Sequence, residues 1–436
     1  MALAALAVLF WSGSALAAAA GAPTQALRCE RLFDARAAEM KDGPYWLLIA
    51  DGKIAEVRRE APTDVELIDA PAGSCLPGLI DLHTHITSES GPGRYIERFS
   101  LPATTVALRA TGYARKTLDI GFTTVRDLGD RDGVSVALRD AIKAGWVEGP
   151  RIYTSAKSIA TTGGHADPSN GQKPGLTPTP GPTDGVINGP EEAYQAVRQR
   201  YQDGADLIKI TATGGVLSLA ANGLNPQFSQ DEANAIVAAA NDYGMAVAAH
   251  AHGAEGMKRA VLAGVRTIEH GSYMTDEIMR LMIDKGTWYV PTMLAGWWTA
   301  EKAKEEGYYP PMVAAKASAI SPQIATTFGK AWRAGVPIAF GTDSGVSPHG
   351  MNSKEFELMV EAGMPAATAL QTATWNAAQV LSAQDQLGSL EAGKIADIVL
   401  VEGDPSQQIK DIHRVRLVIK DGRVVARPAA ERADAS

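Results

Sequence analysis

The chain has 436 residues, 45% hydrophobic and 21% charged, the composition of a folded globular protein and not of a disordered or membrane-embedded one. That length exceeds what one ordinary core holds, so one large barrel or two domains is expected. The net charge of −8 is spread without a basic block, which argues against nucleic acid or an anionic membrane as partners.

The first 20 residues, MALAALAVLFWSGSALAAAA, join an apolar stretch too short to span a bilayer to an A-x-A pattern at Ala15-Leu16-Ala17. They are expected to be a signal peptide, which puts the mature protein in the periplasm or outside the cell. The segment lacks the usual Lys or Arg, so a misassigned start and a flexible tail are the alternatives. No later stretch has the length and apolarity of a membrane helix, and no membrane is expected to hold the mature form. Cys29 and Cys75 could form one disulfide in an exported protein, or sit as two small buried hydrophobes.

From residue 26 the sequence reads as strands, with Asp51-Gly52 marking a hairpin between YWLLIA and KIAEVR. The same grammar returns in ADIVLVEGDP and in VRLVIKDGRVVA, where Asp421-Gly422 is the turn. Residues 26–76 and 385–427 are therefore expected to form a small β-sandwich domain from both chain ends, with residues 77–384 inserted. The insertion alternates β-rich runs with alanine-rich helical stretches at 190–203, 229–243, 254–263 and 313–334. The runs are GLIDLHTHI, FTTVRDLG, RIYTSAKSI, LIKITATGG, AVAAHAHG, TIEHGS, WYVPTM and IAFGTDSG. Eight strands alternating with helices predict an α/β fold, a (β/α)8 TIM barrel. A doubly wound open sheet is the alternative, weakened because no Gly-rich dinucleotide fingerprint follows the first strand. The Gly-, Pro- and Thr-rich stretch 160–189 follows the third run, and would lie as a loop on the catalytic face.

Barrel active sites lie at the C-terminal ends of the strands. There the sequence places His83 and His85, Lys209, His250 and His252, His270, and Asp343. Alternation sends residues i and i+2 of a strand to one face, so His83 and His85 point the same way. One such histidine alone is more often a hydrogen-bonded core residue. Several buried imidazoles at one barrel end need a common partner, and imidazoles with a carboxylate suit zinc or a similar divalent ion. Lys209 on an apolar strand is costly as an ammonium unless paired, with Asp343 or Asp127 as the candidates. Beside metals its amine could instead take up carbon dioxide and ligate as a carbamate.

In order, GLIDLHTHI, LIKI, AHAHG, IEHGS and FGTDSG resemble the motifs of the amidohydrolase superfamily, and LGSLEAGKIADIVLVEGDP is similar to its C-terminal segment. Within it the chain looks closest to imidazolonepropionase-like proteins and binuclear Xaa-Pro and Xaa-Arg dipeptidases, a branch that includes ochratoxin-hydrolysing amidohydrolases. The resemblance implies that His83, His85 and Asp343 hold one metal. It also implies that carbamylated Lys209 bridges to a second, held by His250 and His270, with His252 beside it or against substrate. The lysine favours two divalent ions, zinc as the first choice, and relatives suggest a homo-oligomer.

Hydroxide held between two cations is a strong nucleophile near neutral pH. Asp343 and His252 are the catalytic candidates: Asp343 to move the proton to the leaving amine, His252 to help polarise the carbonyl. The expected substrates are small amides: dipeptides or N-acyl amino acids, with ochratoxin-type amides that release phenylalanine among them. Ser88, His165, His252, Val216, Leu217, Trp297 and Trp298 are the substrate-binding candidates, with His165 set against a substrate carboxylate. The alternatives are a mononuclear cyclic-amide hydrolase or deaminase, and a non-catalytic periplasmic binding protein.

Overall fold

Both Asp-Gly pairs adopt positive φ at both residues, 49° and 76° at Asp51-Gly52 and 51° and 75° at Asp421-Gly422. That is the conformation a two-residue hairpin turn demands, and Asp and Gly tolerate it best. The computed structural model describes residues 22–221 and 223–427, so the expected signal peptide at 1–20 lies outside the described residues. Strands β1 (Gln25–Asp34), β2 (Glu39–Ala50), β3 (Lys53–Arg58), β4 (Glu66–Leu67) and β5 (Ser74–Pro77) come first. The inserted part holds β6 (Leu79–Thr84), β7 (Phe122–Asp127), β8 (Arg151–Thr154), β9 (Ala160–Thr161) and β10 (Val186–Ile187). It continues with β11 (Ile208–Thr211), β12 (Val247–Ala251), β13 (Thr267–His270) and β14 (Trp288–Val290). The chain returns as β15 (Ile398–Val401), β16 (Val415–Lys420) and β17 (Arg423–Ala426).

The two chain ends form one mixed sheet in the order β17-β16-β15-β5-β1-β2-β3, with β4 beside β1. By strand pairing this is a single eight-stranded sheet and not the two separate sheets of the expected sandwich. The reason is β5, which pairs with β1 on one side and β15 on the other and so fuses the ends into one ladder. The sheet curls until its far edge meets the returning chain, where Ile54 N–H donates to Lys394 O at 2.8 Å. Leu27, Leu47, Ile54, Leu400 and Ile419 fill the core this closes. Cys29 and Cys75 lie in the same core and are joined as a disulfide, which decides between the two readings left open by the sequence.

The inserted part carries parallel strands buried on both faces, which is why they read as continuous apolar runs. Helices α1 (Arg94–Ser100), α2 (Ala103–Asp119), α3 (Val134–Lys143), α4 (Pro190–Gln202) and α5 (Gln230–Asp242) lie between strands. So do α6 (Ala254–Ala263) and α7 (Asp276–Lys285), and α8 (Met293–Lys302), α9 (Pro311–Ala334) and α10 (Lys354–Glu361) follow β14. The four helical stretches expected from the sequence appear within two residues of their observed ends. Pro311 at the first turn starts α9, and the Ser229/Glu232 capping box starts α5.

Seven of the eight expected strands pair, as β6-β7-β8 and β11-β12-β13-β14, and no continuous closed ladder is present among the described residues. The expected eighth, 338–345, is an extended segment between the two sheets. Ala339 N–H donates to Tyr289 O at 3.0 Å, while Leu82 N–H donates to Phe340 O at 3.0 Å and Asp343 N–H to His83 O at 2.7 Å. At the other seam, Ile159 N–H donates to Lys209 O at 2.8 Å. Stretch 160–189 is partly structured, since β9 and β10 pair within it. Among the described residues no helix is long and apolar enough to cross a membrane.

Candidate metal centre

The strands deliver His83, Lys209, His250 and His270 to one end of the insertion, and the 338–345 segment adds Asp343. His270 and Asp343 sit at φ of 71° and 59°, left-handed values rare for residues with a Cβ. Such backbone cost concentrates at functional sites. The turn at His270 breaks strand alternation, so Glu269 and His270, adjacent in sequence, both reach His83. Glu269 Oε2 lies 2.9 Å from His83 Nδ1, and the His83 and His270 ring centroids are 5.0 Å apart.

His83, His85, His250 and His270 each spend one nitrogen on a fixed acceptor, which sets the role of the other. A carbonyl can only accept, so His85 Nδ1 carries the proton it gives Gly129 O at 2.7 Å, and His250 Nε2 the one it gives Gly214 O at 2.9 Å. His83 Nδ1 donates to the Glu269 carboxylate. Thr292 Oγ1 donates to Pro291 O and so accepts from His270 Nδ1 at 2.7 Å. Nε2 of His83, His85 and His270 and Nδ1 of His250 are left as lone pairs. His252 Nδ1 pairs with Ser272 Oγ at 2.7 Å.

Asp343 Oδ1 is 3.3 Å from His85 Nε2 and 3.5 Å from His83 Nε2, yet among the described residues no donor reaches this buried oxygen. Lone pairs facing a carboxylate oxygen repel unless a cation stands between them. His83, His270 and Asp343 offer ligand atoms within 4.8 Å of one another, so the donor set fits a divalent ion. This trio differs from the division implied by resemblance, because it takes His270 with His83 and Asp343.

Lys209 is buried with its Nζ 3.4 Å from His83 Nε2. Among the described residues it makes no ion pair with Asp343 or Asp127, so the pairing that would have made it an ordinary buried ammonium is absent. Burial, only partly opposed by the charges of Glu269 and Asp343, lowers its amine to about 8. Burial raises Asp343 to about 7 against the pull of Lys209 and Arg94.

A cavity of ≈ 540 Å³ opens over the centre. Of the expected substrate contacts, Ser88, His165, Val216, Leu217 and His252 line it. Trp297 and Trp298 do not. They lie on α8, where a loop was expected, and its cavity face carries Ala295, Gly296 and Thr299, which turns both indoles away. Lys302 instead covers the Trp298 ring at 4.9 Å. His165 stacks on His250 with ring centroids 4.4 Å apart. Burial first, then the nearby His252 and Lys316, hold it well below the usual imidazole range and leave it uncharged, a poor match for a carboxylate.

The sequence reading missed Arg126 and Glu269. Arg126 is fully buried and gives Nε–H to Leu82 O at 2.6 Å and Nη2–H to Glu269 Oε1 at 2.8 Å. Their signal is a charged residue inside each of two apolar runs, FTTVRD and TIEH.

The sequence profile of the amidohydrolase family matches residues 75–425. The fold is similar to that of a Xaa-Pro dipeptidase with methionine bound in its active site, with a TM-score of 0.89 and 47% identity over 92% of this chain and 99% of that one. It is also similar to a prolidase complexed with N-methylphosphonate-L-proline, with a TM-score of 0.84 and 32% identity over 92% of this chain and 99% of that one. The ochratoxinase of Aspergillus niger is 32% identical over 393 residues, 84% of this chain and 78% of its own.

Proposed function

The chain belongs to the amidohydrolase family and is a hydrolase of amide bonds, and from that premise we propose that it uses two divalent ions to cleave dipeptides or N-acyl amino acids. Ochratoxin-type amides that release phenylalanine fall in this class, which similarity to the A. niger ochratoxinase supports. The observation that carries the reading is the set of four imidazole lone pairs beside the donor-less Asp343 Oδ1.

His83, His85 and Asp343 would hold one ion, His250 and His270 the other, and Lys209 as a carbamate would reach both. A buried amine without an ion pair supports that role, because carbon dioxide reacts only with the neutral form. Zinc suits these donors. Bound there, the ions would lower the pKa of water toward ~7 and supply hydroxide at neutral pH. Asp343 takes the proton released in attack and returns it to the departing amine, so amide and water become acid and amine. His252, pinned by Ser272, and His165, pinned on His250, line the cavity, where they would meet the carbonyl oxygen of a bound amide. Glu269 and Arg126 hold His83 in its tautomer.

The same reading makes the inserted part, 77–384, a (β/α)8 barrel with 338–345 as its eighth strand. Residues 26–76 and 385–427 form the β domain, residues 1–20 export the protein to the periplasm or beyond, and the mature chain assembles as a homo-oligomer. Screening dipeptides and N-acyl amino acids, with metal content measured on the same preparation, tests the function. About two ions per chain and release of a free amino acid are expected. One ion per chain, or a Lys209→Ala variant that keeps most of its activity, overturns the binuclear reading.

A further inference from the structure

Residues 88–93, SESGPG, follow His85 closely and carry no large apolar side chain. A stretch with so little to bury is placed by hydrogen bonds rather than by packing. Ser88, Glu89 and Ser90 nevertheless line the cavity and form its rim on this side. Within the stretch, Ser88 N–H turns back to His85 O at 3.1 Å, and Arg94 of α1 reaches the Ser90 hydroxyl at 2.7 Å. Tyr308 OH adds a long bond of 3.4 Å to Ser90 O. The closer outside ties all run to the loop after Asp343. Ser90 N–H donates to Gly345 O at 2.6 Å, and a Cβ on Gly345 would stand 3.0 Å from Ser88 O. His349 supplies two more: its Nε2–H donates to Ser88 O at 2.8 Å, and its backbone N–H to Glu89 Oε2 at 2.9 Å.

His349 is itself a fixed post. It is buried and stacks on Tyr113 of α2 with ring centroids 4.8 Å apart. Its Nδ1 has no partner among the described residues, so the ring is engaged through Nε2. The chain behind it is anchored in turn: Asn352 Nδ2–H donates to the buried Asp81 at 2.7 Å, and Gly350 N–H returns to Asn352 Oδ1 at 3.2 Å. His349 does not line the cavity, so whatever it does to a substrate it does through the rim. We propose that His349 is a positioning residue that holds Ser88 and Glu89 where a substrate in the cavity meets them. This rests on the amide-hydrolase reading of the same cavity. It gives the rim a part in binding and none in moving the proton.

Two variants separate the hydrogen bond from the bulk of the ring. His349→Phe keeps a ring against Tyr113 and removes the donor, whereas His349→Gln keeps an N–H near the place of Nε2 and removes the ring. On a dipeptide or N-acyl amino acid, His349→Phe should raise KM about tenfold with kcat within about twofold of the wild type. His349→Gln should return KM to within about threefold of the wild type, and both variants should keep their metal. Amide exchange at Ser88 and Ser90 should quicken about tenfold in His349→Phe and recover in His349→Gln. A role in stability alone would move the melting temperature and leave KM where it was. If His349→Phe does not fold, His349→Met fills the site without a donor and should raise KM equally. Wild-type KM in the variant lacking the donor overturns the proposal, as does a His349→Gln that rescues nothing. Loss of metal in that variant also overturns it, because the effect would then run through His85. A wild type that cleaves neither substrate class overturns the proposed substrates instead, and amide exchange alone then decides whether His349 holds the rim.

Discussion

Glu269 Oε2 lies 2.9 Å from His83 Nδ1, with both side chains sealed from solvent, and its other oxygen meets Arg126 at 2.8 Å. The carboxylate therefore neutralises a buried guanidinium and fixes the ring whose free nitrogen faces the centre. Glu269→Gln keeps the shape and removes the charge. The uncompensated Arg126 should cost about 3–5 kcal/mol of stability, and the loosened His83 should weaken metal binding by about 10- to 100-fold. Thermal unfolding of the metal-free protein reads the first effect, and competition with a chelator reads the second. Wild-type metal affinity in the variant would show that Glu269 does not act through His83.

Glu355 on α10 accepts from Met293 N–H at 2.9 Å and Leu294 N–H at 2.6 Å, closing the start of α8. Burial lifts its carboxyl from 4.5 to about 8, more than these two bonds pull it down. A raised folded pKa means that the folded state binds the extra proton between those values. The contribution of this group to stability is thus full below about 4.5 and lost as pH climbs toward about 8. The metal-free protein should melt lower at pH 8 than at pH 5.5, and Glu355→Gln should flatten that slope. An identical slope in the variant would assign the pH dependence to another group.

Lys316 is buried on α9 and donates to Gly215 O, Ser218 O and Ala220 O, each at 2.8 Å. One ammonium so pins the loop whose Gly214 O orients His250. Lys316→Met would leave three carbonyls without their donor, at a cost of about 1–3 kcal/mol for each one that stays buried. Faster proteolysis between 214 and 224 and a fall of about tenfold in kcat/KM are expected. If the loop resists protease as the wild type does, it is held by its own packing and not by Lys316.

Side-chain alternation made His83 and His85 legible in the sequence, and runs of alternating strand and helix made the inserted architecture legible. Local signals failed where the backbone departs from them. Glu269 stayed hidden because the left-handed turn at His270 lets two adjacent residues face one centre. Trp297 and Trp298 were misplaced because the segment after β14 is a helix, and a helix sends neighbouring residues to different sides. The single terminal sheet was invisible because β5 gives no sign in sequence of pairing with strands some three hundred residues away.

His165 was named from its place in a Gly- and Pro-rich loop, and the structure supplies a way to test it without touching the ring. A Cβ on Gly215 would stand 2.2 Å from His165 Cε1 and 2.4 Å from both ring nitrogens, closer than any side chain tolerates. Gly215→Ala must therefore push His165 off its stack on His250 or shift the loop behind it. His165 is not among the residues set to hold an ion, so metal content should stay at the wild-type level. A displacement near 1 Å at a group facing the carbonyl lowers turnover by about a hundredfold. Retained metal with a fall of that order in kcat is the expected result. Loss of metal would instead show that the loop shift reached His250 through Gly214 O, and full turnover would remove His165 from the reaction.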